Sequence, residues 1–199
     1  MPPLLRKVGT RLISDVIQAL GGECLLSAEI NPPTWITDAG TVDTERVARD
    51  DPRMMLAMPS GILNLQTAAT GQTQSFYPPT PRFFTRSAVT YQDDAEAVAP
   101  RWDRFLGQLF DEGEAGEESI LALQEWFGYL LTARTEQHKI LLLIGPPRSG
   151  KGTIARVLTE LVGVANVASV RLEDLGSRFG LWALRAKTVG IVADLRLSD

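Results

Sequence analysis

The apolar positions of this chain change period along its length, and the first period is helical. Five apolar side chains within residues 11–20 fall on one helical face, namely Leu12, Ile13, Val16, Ile17 and Leu20. Three- and four-residue spacing of this kind predicts an amphipathic helix, and two glycines directly after it favour its end. We expect a helix that packs on the rest of the protein and stops at Gly21.

The next segment changes from loops to strand-like composition. Residues 30–53 combine prolines, an Asp-Ala-Gly turn and mixed charge, which predicts loops around one short helix near residues 43–49. Residues 61–91 are rich in β-branched and aromatic side chains and are interrupted by Gly71 and three prolines. That composition predicts short strands in a small β element.

A helical hairpin is predicted over residues 100–134. Pro100 is suited to a first helical position, and it is followed by apolar residues at helical spacing, namely Trp102, Phe105, Leu106, Leu109 and Phe110. These aromatics are most simply core residues, and the alternative is a base-stacking platform. An acidic turn at 111–118 favours the start of the second helix, predicted at about 119–134.

The apolar run at residues 139–144 is typical of a parallel strand buried on both faces. Residues 151–162 return to helical periodicity. Between them stand nine residues that predict a phosphate-binding loop in its strand, loop, helix context: Gly145, Pro146, Pro147, Arg148, Ser149, Gly150, Lys151, Gly152 and Thr153. The alternative is a glycine-rich turn with no nucleotide.

The residue types of this loop suit a polyphosphate. Gly145 and Gly150 leave room for backbone N–H groups to approach an anion, and the helix that starts at Lys151 directs its free N–H groups there. Lys151 is expected to reach the β- and γ-phosphates as a point charge. Arg148 is expected to contact phosphate or a neighbouring subunit, or simply to face solvent.

A magnesium site is predicted from two positions. The strict motif places Ser or Thr directly after the lysine, but this chain has Gly152 there, so Thr153 is the expected substitute, with water as the alternative. A second strand is predicted at 188–193, and Asp194 follows it at the end where parallel sheets bind ligands. The alternative for Asp194 is a solvated surface carboxylate.

Composition excludes some kinds of site and indicates the compartment in which the protein works. One cysteine and one histidine exclude a disulfide framework and a zinc site of Cys and His, which favours a reducing cytoplasm. No secretory signal or membrane-spanning run is visible, so we expect a soluble protein. Residues 139–199 carry nine Lys/Arg against five Asp/Glu, a net of +4, within a chain of net −4. A basic segment attracts phosphates, and ordinary surface charge is the alternative.

Several segments in this order resemble the helicase part of phage and plasmid primase-helicases of helicase superfamily 3. They are "PSGILNLQT", similar to that family's Asn-Gly-x-Leu-Asp-Leu segment except at Ser60 and Asn64, then "TRSAVTYQDDAEAVAPRWDRFLGQLF", "ILALQEWFGYLLT", "LLLIGPPRSGKGTIARVLTELVG" and "RFGLWALRAKTVGIVADLRL". The resemblance covers roughly residues 55–199. It implies that Gly145–Thr153 is a Walker A loop with Lys151 on the phosphates and Asp194 the Walker B acid.

The resemblance also implies a fold and a function. The expected fold class is α/β, with a mainly helical mixed N-terminal region (1–98), a collar-like helical hairpin (99–138) and an incomplete AAA+-like P-loop ATPase core with a parallel sheet (139–199). The implied function is a replicative DNA helicase with ATP and Mg²⁺ as cofactors. It would translocate on single-stranded DNA as a homo-oligomeric ring, expected to be a hexamer, in the cytoplasm of a bacterial host and encoded by a phage or prophage.

Two other functions stay open. The sequence ends at Asp199, before the sensor residue and arginine finger that the resemblance implies, so we expect a truncated helicase that is inactive alone. A non-catalytic subunit-interaction module is therefore one alternative. The other is a small-molecule phosphotransferase, because the Gly-Lys-Gly-Thr loop is similar to that of adenylate kinases.

Overall fold

The computed structural model describes residues 9–71, 75–94, 96–110 and 113–193. Its helices are α1 (Thr10–Glu23), α2 (Thr44–Arg49), α3 (Leu65–Ala69), α4 (Pro100–Leu109), α5 (Glu114–Leu131), α6 (Lys151–Val162) and α7 (Leu172–Leu175). Its strands are β1 (Thr34–Trp35), β2 (Met55–Met58), β3 (Gly61–Asn64), β4 (Phe76–Tyr77), β5 (Phe83–Phe84), β6 (Val167–Val170) and β7 (Val189–Val192). The expectation of a mixed helix and strand protein with small sheets is confirmed.

The strands before residue 90 form two small antiparallel sheets. In one sheet β2, β3 and β4 lie in that order, and a two-residue turn places Met58 opposite Gly61. In the other, β1 pairs with β5. Asn64 ends β3 and accepts hydrogen bonds from the N–H groups of Gln66 and Thr67, so its side chain caps α3. The predicted small β element is confirmed.

Three hydrophobic clusters hold the fold together. Trp35, which is fully buried, packs with Met55, Ile62 and Phe83. A second cluster, around Leu56 on β2, also contacts Leu131 at the end of α5. The largest joins α4, α5, α6 and β7 through Leu106, Leu123, Phe127, Ile154, Leu158, Val162 and Val189. One core therefore supports both the helical hairpin and α6, the helix that follows the loop at 145–150.

Hydrogen bonds attach the antiparallel region to the end of α6. The Tyr91 hydroxyl donates to the Leu161 carbonyl at 2.7 Å. The Asn166 amide donates to the Ala88 carbonyl at 2.9 Å and to the Val162 carbonyl at 2.8 Å. Since Asn166 is buried, these bonds satisfy an amide that water cannot reach and fix the position of α6.

The helices follow the sequence closely, and the start of α5 differs from the prediction. The helices predicted from periodicity near 43–49, at 100 and at 151–162 are confirmed, and Pro100 is the first residue of α4. The second hairpin helix starts earlier than expected, at Glu114, because Glu114 and Glu117 occupy its first turn, where carboxylates interact well with the helix dipole.

Helix α1 is confirmed as a helix, but its predicted packing is wrong for the part of the chain that the structure describes. Its five apolar side chains are each at least 47% exposed, and none of its residues is buried. It also continues through Gly21 and Gly22 to Glu23. Periodicity identifies the apolar face of a helix, but it does not identify the surface that covers that face.

The parallel sheet is smaller than expected. Strands β6 and β7 pair in parallel, from Val167 opposite Val189 to Val170 opposite Val192, which confirms the strand predicted at 188–193. The strand predicted at 139–144 is wrong, because the structure has no strand there and no described strand hydrogen-bonds to the segment. Its burial alternates: Leu141 and Leu143 pack on the α4–α6 core, whereas Ile140 is 92% and Ile144 86% exposed.

Among the described residues no helix is both long and apolar enough to cross a membrane.

Candidate functional site

The loop between residue 145 and α6 has the backbone geometry of an anion-binding concavity. Arg148 has φ 64° and Gly150 has φ 84°, while Ser149 between them and Lys151 after them are not in the left-handed region. Alternating handedness turns successive N–H groups toward the same side of the chain, which forms a concave surface of donors. Arg148 is strained at positive φ, and such strain is concentrated at functional sites.

The first N–H groups of α6 are available to a ligand. Within the described residues, the N–H groups of Gly150, Lys151 and Gly152 have no hydrogen-bond acceptor. The next two are used internally, because those of Thr153 and Ile154 donate to the Gly150 carbonyl. The start of α6 therefore presents three free donors and the positive end of a 12-residue helix to an anion.

Lys151 closes this loop on itself. Its Nζ donates to the carbonyls of Gly145 at 2.7 Å and Pro146 at 2.9 Å, and to the Ser149 hydroxyl at 3.2 Å. The ammonium group is thus held beside the free N–H groups. An entering phosphate would exchange these neutral acceptors for anionic oxygens, which adds an ion-pair attraction to hydrogen bonds that the ammonium already makes charge-assisted.

The three glycines of the loop have different roles. A Cβ on Gly145 would lie 2.7 Å from the Ser149 Oγ, and a Cβ on Gly150 would lie 2.9 Å from the Phe105 ring. Gly150 also needs its positive φ. A Cβ on Gly152 would meet nothing within 4 Å. Glycine is therefore required at 150 by its positive φ. At 145 a side chain would only have to displace the Ser149 hydroxyl, and at 152, the position where the strict motif has Ser or Thr, there is open space.

A cavity of about 620 Å³ opens beside the loop. One wall belongs to α4, and the other is formed by the loop and the first turns of α6. Its lining includes Phe105, Gln108, Leu109, Arg148, Thr153 and Arg156. This volume lies within the range of small-molecule sites, but the cavity is broadly open to solvent.

Sequence reasoning did not identify this α4 wall. The sequence favours the α4 aromatics as core, and Trp102 does stack on Phe127, with ring centroids 5.9 Å apart. Phe105 also lines the cavity, so it serves both purposes. Only tertiary packing brings Gln108 and Arg156 together, because they lie 48 positions apart in the sequence. A single sequence contains no pattern that predicts the close approach of α4 to Gly150.

The predicted metal ligands are less well arranged than the phosphate donors. The Thr153 hydroxyl accepts a hydrogen bond from Arg156 Nη2 at 3.4 Å, which places a guanidinium where a cation is expected. No group of three or more Asp, Glu, His or Cys suitable for a metal occurs among the residues that the structure describes. Asp194, the predicted acidic ligand, lies outside the described residues.

A second polar cluster, formed by Trp35, Arg46, Asp50 and Tyr77, lies in the antiparallel region and has its acceptors filled. The buried Asp50 carboxylate accepts from the Tyr77 hydroxyl at 3.0 Å and from Arg49 Nε at 3.3 Å, and its carbonyl accepts from Trp35 Nε1 at 3.0 Å. Arg46 lies 3.8 Å from the Trp35 ring centroid. Burial raises the pKa of Tyr77, and the hydrogen bond to Asp50 raises it further. Filled acceptors indicate a structural role.

An exposed aromatic and basic segment follows α7. Phe179 is 73% and Trp182 67% exposed, and Leu181 between them is also exposed. Arg178 lies over the Phe179 ring and Arg185 over the Trp182 ring, with distances of 5.4 and 4.9 Å to the ring centroids. We call residues 178–185 the aromatic segment.

No model of a known protein family matches the sequence, and no curated protein matches it significantly. The function proposed below therefore depends on the geometry of the loop at 145–153.

Proposed function

We propose that this chain is the ATP-binding part of a phage- or plasmid-type replicative DNA helicase of superfamily 3. The observation that carries the proposal is the loop at 145–153, where three free N–H groups, a helix N-terminus and the Lys151 ammonium lie together. This set suits a phosphate chain, because every member donates hydrogen bonds and its one formal charge, on Lys151, is positive. The finer fold proposal, an AAA+-like P-loop core, depends on the same loop and on the parallel β6–β7 pair that follows α6.

The proposed catalytic residues are Lys151 and Asp194. Lys151 would stabilise the negative charge that develops on the transferred phosphoryl group, because it lies at the loop as a compact, movable cation. Asp194 lies two residues after the end of β7 in the sequence and would hold Mg²⁺ together with Thr153, which must first release Arg156. Bound Mg²⁺ would supply charge neutralisation on the phosphates.

Single-stranded DNA is the proposed partner, and the aromatic segment supports it. Exposed aromatic faces stack on unpaired bases without regard to sequence, and arginines attract the phosphate backbone. Residues 178–185 carry two arginines and no carboxylate, so their local charge is complementary to DNA. Assembly into a ring, expected to be a hexamer, is proposed from the family resemblance, as are a cytoplasmic location and a phage or prophage origin.

The test is binding of MgATP by the purified chain beside two lysine variants, followed by turnover with and without single-stranded DNA. We expect Lys151→Ala to weaken ATP binding by about tenfold to a hundredfold, since it removes a charge-assisted contact. The matched control is Lys139→Ala, which removes an exposed lysine six residues before the loop and should bind ATP normally. Equal ATP affinity in both variants would contradict the site.

Turnover distinguishes the helicase from its alternatives. Hydrolysis that rises with single-stranded DNA supports the motor, and Trp182→Ala should then reduce the stimulation. Lysine-dependent ATP binding without turnover fits an ATP-binding part of a helicase that is inactive alone. Association with a full-length helicase, again without turnover, would favour the non-catalytic interaction module. The phosphotransferase stays a second candidate because Gly152 stands where helicase loops place Ser or Thr. It requires phosphoryl transfer from ATP to a nucleoside monophosphate, and a coupled assay that detects none would exclude it.

A further inference from the structure

We propose that the cavity between α4 and the start of α6 is the subsite for the nucleobase and ribose of the bound nucleotide. This inference rests on the proposed function, because it assigns the part of the ligand that the phosphate loop does not hold. It makes the helical hairpin a component of the ligand site, not only a support for it.

The position of the cavity is the first argument. Gly150, Gly152 and Thr153 line it, and the N–H groups of Gly150 and Gly152 are among the three free donors of the loop. A phosphate chain bound by those donors therefore ends at the mouth of the cavity. The volume of about 620 Å³ is ample for a nucleoside, which is smaller than most drug-sized ligands.

The chemistry of the α4 wall is the second argument. Phe105 and Leu109 are half-buried apolar side chains that contact the loop at Gly150 and line the cavity. A flat apolar ring gains from such a surface, whereas inorganic phosphate gains nothing from it. Gln108, exposed one position before Leu109, adds an amide that both donates and accepts, as the polar edge of a base requires.

The charges on the opposite wall fit the remainder of the nucleotide. Arg148 and Arg156 both line the cavity, and an Arg156 released from Thr153 stays on this wall because it belongs to the second turn of α6. No carboxylate lines the cavity among the described residues. A site with two guanidinium groups and no acid favours an anionic nucleotide over a neutral nucleoside, and guanidinium planes also stack on bases.

The inference predicts a difference between two ligands. ATP and inorganic tripolyphosphate both offer phosphates to the loop, but only ATP has a base and ribose for the cavity. We expect the wild-type chain to bind ATP at least about tenfold more tightly than tripolyphosphate, since stacking and apolar contact with one base are worth this much.

Variants of the α4 wall should affect ATP alone. Gln108→Ala and Phe105→Leu should each weaken ATP binding by about threefold to tenfold and leave tripolyphosphate binding unchanged. Gln124→Ala is the matched control, because Gln124 is an exposed glutamine on α5, outside the cavity lining. Gln108 is exposed, so its variant should fold normally, and thermal unfolding of Phe105→Leu detects any loss of packing.

Titration calorimetry with both ligands separates the possible results. Tighter ATP binding that both α4 variants reduce selectively supports the subsite. Equal affinities of the wild-type chain for ATP and tripolyphosphate would overturn the subsite but leave the phosphate loop intact. Selective ATP binding that neither variant changes would also overturn it. Binding of neither ligand would overturn the proposed function and the subsite together.

Discussion

The cluster around Asp50 and the loop around Lys151 both concentrate charged groups, but only the cluster has its carboxylate acceptors filled. Within the described residues the cluster also holds one buried donor without a hydrogen-bond partner, the Arg46 Nε. At Asp50 the carboxylate has hydrogen bonds from Tyr77 and Arg49. At Lys151, three neighbouring backbone donors have no acceptor among the described residues. Filled acceptors on a buried carboxylate indicate a structural role, whereas the donors at the start of α6 are partly exposed and available to an anion.

The largest effect should come from removing Trp35, the buried ring of the cluster around Asp50. Trp35→Ala deletes a fully buried ring and its Nε1 hydrogen bond to the Asp50 carbonyl. We expect a loss of about 3–5 kcal/mol in the free energy of unfolding, measured by urea denaturation. Trp182→Ala is the matched control, since its ring is 67% exposed, and it should change stability by less than about 0.5 kcal/mol. Equal losses would contradict the assignment of the core.

The next largest loss of stability should come from substituting Gly150. Comparing this variant with one at Gly152 tests the geometry of the loop around Lys151. Gly150→Ala forces a side chain into the left-handed region and against Phe105, so we expect a loss of about 1–3 kcal/mol and weaker nucleotide binding.

Gly152→Ala is its control, because it adds a methyl group in open space within a helix. It should leave stability unchanged or raise it by up to about 1 kcal/mol. Thermal unfolding of both variants, with and without ATP, measures the difference. If the Gly152 variant lost as much stability as the Gly150 variant, the different backbone surroundings of these two glycines would be contradicted.

The smallest effect is a pH dependence of stability that arises from Tyr77 in the cluster around Asp50. Since burial and Asp50 raise the pKa of Tyr77, the folded protein holds this proton more tightly than the unfolded chain does. Stability should then be intact below about pH 10 and fall as the pH rises further. Tyr77→Phe should reduce that decline in urea midpoints between about pH 8 and about pH 11. Tyr91, whose pKa burial also raises, should account for a further part.

Local sequence signals predicted those parts of the fold that depend on local interactions. Helices α4 and α6 follow from apolar spacing and from Pro100, since hydrogen bonds within a helix join residues four apart. The positive φ of Gly150 is local in the same way, because glycine adopts this conformation without strain. That the loop at 145–153 binds phosphate stays a prediction.

Features that depend on distant partners escaped prediction. Residues 139–144 have strand-like composition, but a strand needs a hydrogen-bonded neighbour and the described chain provides none. The apolar face of α1 likewise found no covering surface among the described residues. Phe105 and Gln108 line the candidate site only because α4 packs against Gly150, a contact between residues more than forty positions apart.

The most direct test of the open donors is an amide NMR titration with tripolyphosphate and then MgATP. The free N–H groups of Gly150, Lys151 and Gly152 should show the largest shifts with both ligands, because phosphate oxygens become their acceptors. The indole N–H of Trp35, already bonded to Asp50, should not move. Largest shifts elsewhere in the chain, or no shifts at the three loop amides, would contradict the assignment of this loop as a phosphate site.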